Sequence, residues 1–335
     1  PRGEAKVYLS QSNDPYFNLA FEDWLFRSAD VESPVLLFYR NSPSVIIGRN
    51  QNPWKEINFP ALRRMGIPFV RRKSGGGTVY HDLGNTNYSI AFPRTSFDRR
   101  SNAELVARGV RALGPPAEVN ERNDIVVDGL KICLNLFLYP PFGIHVSGSA
   151  YKIVNKRAYH HGTMLIDAGL GNLGDLLSNT KAPCTPKGIH SVRSPCWESS
   201  SLHARRLSRD FVNSVHQRIH RGIHIIDENE LHREEIRKGH SELKSWDWSH
   251  GQTPEFTHDL KKTFPWAEVV LHIKSKHGVI LSCDFQCKGR DGAKGVSEVC
   301  SQLGRDLVGR KYGILDLAEG TGIRREVIEW LRDDM

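Results

Sequence analysis

The sequence predicts an α+β protein with a large N-terminal domain and a small α+β domain at its C-terminal end. Short apolar, β-rich runs alternate along the chain with segments whose apolar residues recur at helical spacing. A stretch that mixes Gly, Pro and polar residues lies at positions 249–254. We therefore assign residues 1–248 to the first domain and residues 254–335 to the second, a division that a chain of 335 residues allows.

Local signals place the elements of the first domain. Asp14 followed by Pro15 predicts a helix start, since a capping side chain precedes Pro at the first helical position. The capping-box pattern from Ser101 to Glu104 predicts a second helix, which Gly114 ends. A third helix is predicted at residues 207–220. Strands are predicted at residues 35–39, 44–47, 67–71, 78–81, 87–92, 125–127 and 163–166.

The C-terminal domain is predicted to contain a β-hairpin and two helices. Alternating apolar residues at 268–273 and 279–285 flank Lys276-His277-Gly278, which is a turn signal. Helical periodicity follows at residues 296–303 and 324–331.

Composition excludes several classes of protein. Charged residues make up 25% of the chain and hydrophobic residues 39%, and no apolar run approaches the roughly 20 residues that span a bilayer. A net charge of +8 favours anionic partners, but without a Lys/Arg run we expect no nucleic-acid binding. The six cysteines form no Cys-x-x-Cys pair, which argues against a zinc ribbon and favours a reducing compartment.

One segment concentrates the candidate functional residues: Arg71-Arg72-Lys73-Ser74-Gly75-Gly76-Gly77-Thr78-Val79-Tyr80-His81-Asp82. Three consecutive glycines favour neither helix nor strand, but they let backbone N–H groups approach a phosphate or acyl phosphate closely. The two arginines can pair with the same anion. A flexible surface turn is the alternative interpretation, which the flanking strands and the His-Asp pair disfavour. A P-loop is also disfavoured, because its Gly-x4-Gly-Lys-Ser/Thr pattern is absent.

The same segment resembles the signature of lipoate–protein ligases and lipoyltransferases. The resemblance rests on Arg71-Arg72-x-Ser74-Gly75-Gly76-Gly77-x-Val79-x-His81-Asp82-x-Gly84-Asn85, and it continues in order along nearly the whole chain. The other matching segments are Asn18-Leu19-Ala20-Phe21-Glu22, Gly48-Arg49-Asn50-Gln51-Asn52-Pro53-Trp54, Ser147-Gly148-Ser149-Ala150-Tyr151-Lys152, His160-His161-Gly162-Thr163, Gly188-Ile189-x-Ser191-Val192-Arg193 and Trp246-x-Trp248-x-x-Gly251.

The resemblance implies a fold and a reaction. The fold is a mixed β-sheet with flanking helices, shared with biotin–protein ligases and distantly like class II aminoacyl-tRNA synthetases, followed by a small accessory domain. The reaction joins lipoate to the α-phosphate of ATP, releases pyrophosphate, and passes the lipoyl group to a lysine of a carrier protein. Cations, among them Mg²⁺, must offset the repulsion between the two anions, and a water-poor site must protect the mixed anhydride.

Residue roles follow from the resemblance by position. The predicted contacts to ATP or the adenylate are Arg72, Gly77, Thr78, Val79, Tyr80 and Lys131. The predicted contacts to the lipoyl group are Arg71, Ser74, Gly75, Gly76, His81, Asn85, Lys131, Ser147, Gly148, Ala150, His161 and Gly162. Lys131 matches the catalytic lysine, whose ammonium would bridge the lipoyl carbonyl and the phosphate. Asp124 is a candidate either for the metal or for holding its loop.

Two histidine positions keep alternative interpretations. A structural His81 fits the pattern as well as a direct ligand does. His160 and His161 are adjacent, and neighbouring residues on a strand point to opposite faces. A structural role is therefore preferred for them over a metal pair.

The chain departs from the family pattern just after Lys131. An apolar insertion at residues 133–146, without Asp, Glu, Lys or Arg, separates Lys131-Ile132 from Ser147. It is either a loop that shapes the lipoyl pocket or docks the carrier, or translated intron sequence, and we favour the second interpretation. Joining Lys131-Ile132 directly to Ser147 is then expected to restore or raise activity, and a folded but less active deletion variant would contradict this.

The sequence disfavours a dinucleotide-binding oxidoreductase and leaves three functions open. Gly-x-Gly-x-x-Gly at residues 169–174 is not followed by the long helix and acidic residue of a dinucleotide site, because Pro183 and Pro186 intervene. The retained accessory domain favours a complete ligase. The alternatives are a lipoyltransferase that uses preformed lipoyl-adenylate or exchanges lipoyl groups between carriers, and a carrier-binding homologue that the insertion inactivates.

Partners and location are expectations from the same resemblance. Lipoyl domains of oxo-acid dehydrogenase E2 subunits and the glycine-cleavage H protein are the implied carriers, and acidic surfaces on them would suit the positive charge. We expect a monomer. The pI of about 9.2 and the start at Pro1 lead us to expect a mitochondrial protein whose targeting peptide is absent or removed, with a cytoplasmic location as the alternative.

Overall fold

The computed structural model describes most of the chain. The described residues are 4–112, 114, 116–121, 123, 125–127, 130–131, 149–154, 156–165, 176–177, 184–186, 210, 212–213, 222–289, 295–318 and 320–335. They belong to two compact units. The first comprises Pro1–Arg49, Pro60–Leu176 and Ser191–Ser245, and the second comprises Asn50–Phe59, Leu177–His190 and Trp246–Met335. The domain limits 1–248 and 254–335 stay a prediction.

Helices and strands alternate along the described chain. In order they are β1 (Lys6–Ser10), α1 (Pro15–Ser28), β2 (Val35–Tyr39), β3 (Ser44–Ile47), α2 (Pro53–Glu56), α3 (Phe59–Met65), β4 (Phe69–Arg71), β5 (Val79–His81), β6 (Asn85–Pro93), α4 (Arg99–Arg111), β7 (Glu118–Val119), β8 (Ile125–Val127), β9 (Leu130–Lys131), β10 (Ser149–Val154), β11 (Arg157–Leu165), β12 (Cys184–Pro186), β13 (Ile223–Ile226), α5 (Glu234–Lys244), α6 (Trp246–Ser249), β14 (Phe256–Thr263), β15 (Ala267–Lys276), β16 (Val279–Gly289), α7 (Val296–Leu307) and α8 (Ile323–Asp334).

The first unit is built on a six-stranded mixed sheet in the order β10-β11-β6-β2-β1-β13. Strand β1 pairs in parallel with β2 and β13, whereas β2, β6, β11 and β10 pair antiparallel. Every residue of β2 and β3 is buried, which explains why both read as continuous apolar runs. A smaller sheet, β4-β3-β5, carries the glycine loop between β4 and β5. The predicted mixed sheet with flanking helices is confirmed.

Helix starts show where local patterns succeed and fail. Asp14 caps α1 as predicted, because its side chain accepts the Tyr16 N–H at 2.9 Å. The prediction that Ser101 caps the second helix is wrong. Helix α4 begins two residues earlier, and the carboxylate of Asp98 accepts the N–H of Ser101 at 2.6 Å. Asp is at least as good a capping residue as Ser. Asp98 lies three residues before Ser101, so the helix begins earlier than predicted. The helix predicted at residues 207–220 lies largely outside the described residues.

The second unit is a four-stranded antiparallel sheet, β12-β14-β15-β16, with α7 and α8 contributing to its core. The predicted hairpin is confirmed as β15 and β16, and both turn residues have positive φ, His277 at 53° and Gly278 at 68°. Buried and less buried positions alternate along β15, so one face of the sheet packs on the helices. Trp54 joins this core and contacts Phe256 and Tyr312.

Among the described residues, no helix has the length and apolar character needed to cross a membrane.

Candidate active site

The glycine loop is held from beneath by one buried arginine. The Arg72 guanidinium donates to the carbonyls of Gly75 and Gly77 at 2.6 and 2.8 Å. It also donates to the carbonyl of Ile46 at 3.2 Å and to Ser74 Oγ at 3.1 Å. Its five N–H donors form a planar fork that can reach several acceptors at once. Burial lowers the pKa of Arg72 to about 10, so it stays charged at neutral pH.

These bonds set the direction of the loop's N–H groups. In a trans peptide the C=O and the next residue's N–H point in opposite directions. Because the carbonyls of Gly75 and Gly77 face Arg72, the N–H groups of Gly76 and Thr78 are directed away from it. A backbone N–H group presented in this way can donate to an anion. The loop is therefore suited to a phosphate or acyl phosphate, and its binding of either stays a prediction.

Gly48, which is not part of the run of three glycines, packs closely against the glycine loop. A Cβ placed on Gly48 would lie 2.0 Å from the carbonyl oxygen of Gly76, which no real packing allows. Gly76 itself has a φ of 92°, and a Cβ there would lie 2.8 Å from the Arg72 guanidinium and 3.2 Å from the Cβ of Ala150. Ala150 thus lies beside the loop, and its contact with the lipoyl group stays a prediction.

A buried carboxylate and histidine support the loop from the large sheet. His161 Nε2 lies 2.8 Å from Ser74 Oγ, and its Nδ1 lies 3.1 Å from a carboxylate oxygen of Glu22. Glu22 and Ser74 are 5% and 1% exposed, so solvent does not compete for these bonds. The Glu22 carboxylate only accepts hydrogen bonds, so the Nδ1–H of His161 donates to it. Glu22 was part of a matching segment but was not predicted as a site residue.

His81, at the end of β5, is buried and neutral. Burial is the main cause that lowers its pKa, to about 3, and the positive Arg72 and nearby His161 act in the same direction. Its Nδ1 lies 2.9 Å from the Asn41 side-chain nitrogen. Neighbouring Asn85 is fully buried, and its amide donates to Asn87 Oδ1 at 3.0 Å.

Arg71 and the residues that follow the glycine run are also among the described residues. Arg71 is fully buried, donates to the carbonyl of Arg49 at 2.7 Å, and has its pKa lowered by burial to about 9. Thr78, Val79 and Tyr80 lie on the outgoing arm of the loop, and desolvation raises the pKa of Tyr80 to about 12.

Gly162 has a structural reason to be glycine. A Cβ there would lie 2.3 Å from the hydroxyl oxygen of Tyr88, its partner on β6. Its contact with the lipoyl group stays a prediction.

The predicted catalytic residue is Lys131. The backbone of Lys131 lies in β9, opposite Val126 of β8, and its side chain is outside the described part of the structure. Ser147, Gly148, Asp124 and the insertion at residues 133–146 also lie outside the described residues. No group of three or more His, Cys, Asp or Glu side chains that could hold a metal occurs among the described residues. A protein-held metal site therefore finds no support in them.

His160 is separate from the loop-supporting network. Its ring stacks on Tyr151 with centroids 4.6 Å apart and meets Tyr88 edge-on at 5.6 Å. Neither ring nitrogen has a hydrogen-bond partner among the described residues. The structural role predicted for His160 fits this aromatic packing, and burial lowers its pKa to about 3.

Replacing His160 by Phe is expected to protect the protein against acid. The unfolded chain binds a proton at this histidine below pH 6.5, whereas the folded chain does so only near pH 3. As the pH is lowered through this window, the free energy of unfolding therefore decreases by about 1.4 kcal/mol per pH unit. H160Q is a second variant, because glutamine is polar but does not bind a proton in this pH range. Urea unfolding at pH 7.0 and 4.5 should show a loss for H160F that is smaller than the wild-type loss by about 2–3 kcal/mol. Equal losses in wild type, H160F and H160Q would contradict the prediction.

Replacing Glu22 by Gln is expected to weaken both the loop and the reaction. The variant exchanges a charge-assisted bond to His161 for a neutral one, at a cost of about 1–2 kcal/mol in stability and about a 10-fold loss in rate. The exposed Glu32 offers a matched control, since E32Q should change neither quantity. Urea unfolding and acceptor-modification rates would measure the two effects. An E22Q protein as stable and as fast as E32Q would rule out the support.

The fold and this site together define a catalytic domain that presents an anion-binding glycine loop on a mixed sheet. Comparison with known proteins makes the class specific. The family described as the lipoyl protein ligase A/B catalytic domain matches residues 14–218. Lipoate-protein ligase A of Psychrobacter cryohalolentis is 33% identical over 287 residues, which cover 82% of this chain and 80% of that protein. The chain belongs to the lipoate–protein ligase family.

Solved structures agree with this assignment. P. falciparum LipL1, in complex with lipoate, is 25% identical with a TM-score of 0.57, and the match covers 98% of this chain and 99% of that one. A lipoate-protein ligase A bound with ATP is 24% identical with a TM-score of 0.53, over 74% of this chain and 98% of that chain, and shows the shared fold.

Proposed function

We propose that this chain is a complete lipoate–protein ligase. It joins the lipoate carboxylate to the α-phosphate of ATP, releases pyrophosphate, and passes the lipoyl group from lipoyl-AMP to the ε-amine of an acceptor lysine. Family membership supports the reaction class. The structural observation that carries the proposal is the glycine loop, whose carbonyls Arg72 holds so that the N–H group of Gly76 is directed away from the arginine, where an anion can accept from it.

The chain's own residues supply charge and position for this chemistry. Both reacting groups are anionic, so N–H donors fixed before the substrates arrive lower the barrier without reorganising. Arg72 supplies a positive charge beneath the loop. In the proposal, Lys131 bridges the lipoyl carbonyl and the phosphate. If Mg²⁺ accompanies ATP, it would neutralise part of the phosphate charge, while the residues of the chain position the two reacting groups.

The test is a mass spectrum of a lipoyl-domain acceptor after incubation with the protein. One sample contains Mg-ATP and free lipoate, and a parallel sample contains lipoyl-adenylate alone. A lipoyl mass shift in both samples is expected. A shift only with lipoyl-adenylate would replace the proposal by a lipoyltransferase. No shift with folded protein would indicate a carrier-binding homologue, and the deletion of residues 133–146 would then test whether the insertion is the cause.

Partners, location and assembly extend the proposal. Lipoyl domains of oxo-acid dehydrogenase E2 subunits and the glycine-cleavage H protein are the proposed acceptors, and a net charge of +8 suits acidic carrier surfaces. We also propose a mitochondrial location and a monomer. Competition between the two acceptors, subcellular fractionation of cells that express the full-length protein, and sedimentation of the purified chain test the three points.

A further inference from the structure

A chain of hydrogen bonds runs from Ser10 in β1 through the side-chain amides of Asn18 and Asn41 to His81. Its acceptors determine which group donates in each bond. One terminal atom of the Asn18 side chain lies 3.0 Å from the carbonyl oxygen of Ser12 and 3.2 Å from that of Arg40. Carbonyl oxygens only accept hydrogen bonds, so this atom must be the nitrogen Nδ2. The other atom, Oδ1, accepts from the hydroxyl of Ser10 at 2.6 Å.

The orientation of Asn18 fixes that of Asn41. Asn18 Nδ2 also donates to the nearest Asn41 atom at 2.9 Å, so that atom must be the oxygen Oδ1. The Asn41 nitrogen then faces His81 Nδ1 at 2.9 Å. An amide nitrogen only donates, and His81 Nδ1 must therefore carry a lone pair. Since the ring is neutral, its proton is on Nε2.

The donor created in this way has no use within the described protein. His81 is 3% exposed, and its Nε2 has no hydrogen-bond partner among the described residues. Leaving a buried N–H unsatisfied is energetically unfavourable, and an incoming acceptor removes that cost. His81 ends β5, the strand that follows the glycine loop, so it lies in the site region.

We infer that Asn18 and Asn41 are positioning residues that hold His81 as its Nε2–H tautomer, ready to donate a hydrogen bond to an acceptor atom of the bound lipoyl substrate. The inference rests on the proposed function for the identity of the ligand but not for the tautomer. Asn41 lies in the connection between β2 and β3, and its side chain is fully buried.

The substitution N41D reverses the direction of the hydrogen bond between residue 41 and His81. A carboxylate accepts and cannot donate, so His81 Nδ1 must acquire a proton. At low pH the ring is then an imidazolium that keeps its Nε2–H. At high pH it is a neutral Nδ1–H ring, and Nε2 is a lone pair that repels an acceptor. The variant should therefore acquire a pH dependence that the wild type lacks.

Two measurements test the inference. Nitrogen-15 NMR of histidine-labelled protein, without substrate, should show His81 protonated at Nε2 alone in the wild type between pH 5.5 and 8, and protonated at Nδ1 in N41D. His160 serves as the internal reference, because it should not change. Lipoylation kinetics should then show kcat/KM for lipoate falling at least about 10-fold more in N41D at pH 8.5 than at pH 6, the equivalent of one neutral hydrogen bond.

S10A is the matched control. It removes a hydrogen bond from the same chain but leaves the two backbone carbonyls that orient Asn18, so its His81 spectrum and pH profile should match the wild type. A wild-type ring protonated at Nδ1 would overturn the tautomer. A uniform loss in N41D at every pH would reduce Asn41 to a structural residue. If the wild type lipoylates no acceptor, the proposed function fails, while the NMR result still decides the tautomer.

Discussion

The substitution R72K is expected to reduce lipoylation by at least about 100-fold and to lower the free energy of unfolding by about 2–4 kcal/mol. Arg72 keeps its charge buried, 5% exposed, and satisfies it with the carbonyls of Ile46, Gly75 and Gly77. A lysine presents its donors from one atom and cannot span acceptors on both sides of the loop. It would retain the charge but release the loop.

Two roles of Arg72 can be separated by kinetics. The sequence predicted a contact with the nucleotide, and the structure shows contacts with the loop. Loss of a nucleotide contact alone raises the KM for ATP and leaves stability unchanged. Loss of loop support lowers stability and also lowers kcat, because the N–H donors are then poorly placed. The exposed Arg108 provides the control variant R108K, which should match the wild type. An R72K protein with normal stability and normal rate would contradict both roles.

The glycine loop and its strands were predictable because their signals are local. Continuous apolar runs give β2 and β3, and the run of three glycines marks a loop that neither helix nor strand favours. The start of α4 was not, since two overlapping caps, Asp98 and Ser101, compete within three residues. The signal that resolves them is the hydrogen bond itself, which sequence patterns do not contain.

The supporting side chains of the site depend on contacts between distant segments. Glu22 and His161 are 139 positions apart, and Asn41 and His81 are 40 apart. No local period brings such residues together; the order of strands in the sheet does. Gly162 shows the converse, because the sequence assigned it to ligand binding while the ring of Tyr88 supplies a sufficient structural reason for a glycine. Matching a family segment identifies which residues lie near a site, but not which of them contact the ligand.

The substitution G48A is expected to abolish activity while the rest of the first unit stays folded. The added Cβ would lie 2.0 Å from the carbonyl oxygen of Gly76 and 3.3 Å from the Arg72 guanidinium. Both neighbours are fixed, one by the backbone and the other by its bonds to the loop, so the loop must move by more than an ångström. Displacements of about 1 Å can cost about 100-fold in rate even when they arise away from the reacting atoms.

The control for this variant is G222A, since a Cβ at Gly222 meets no atom of the described residues within 4 Å. G222A should keep the wild-type rate, whereas G48A should lose at least about 100-fold in lipoylation by mass spectrometry. G75A adds a more specific comparison. A Cβ at Gly75 also meets no atom within 4 Å in the part of the chain that the structure describes, so a loss of activity there would indicate a ligand that occupies this space. If G48A were as active as G222A, the close approach of Gly48 to Gly76 would not be needed for catalysis, and the loop could not be the rigid anion site on which the proposed reaction depends.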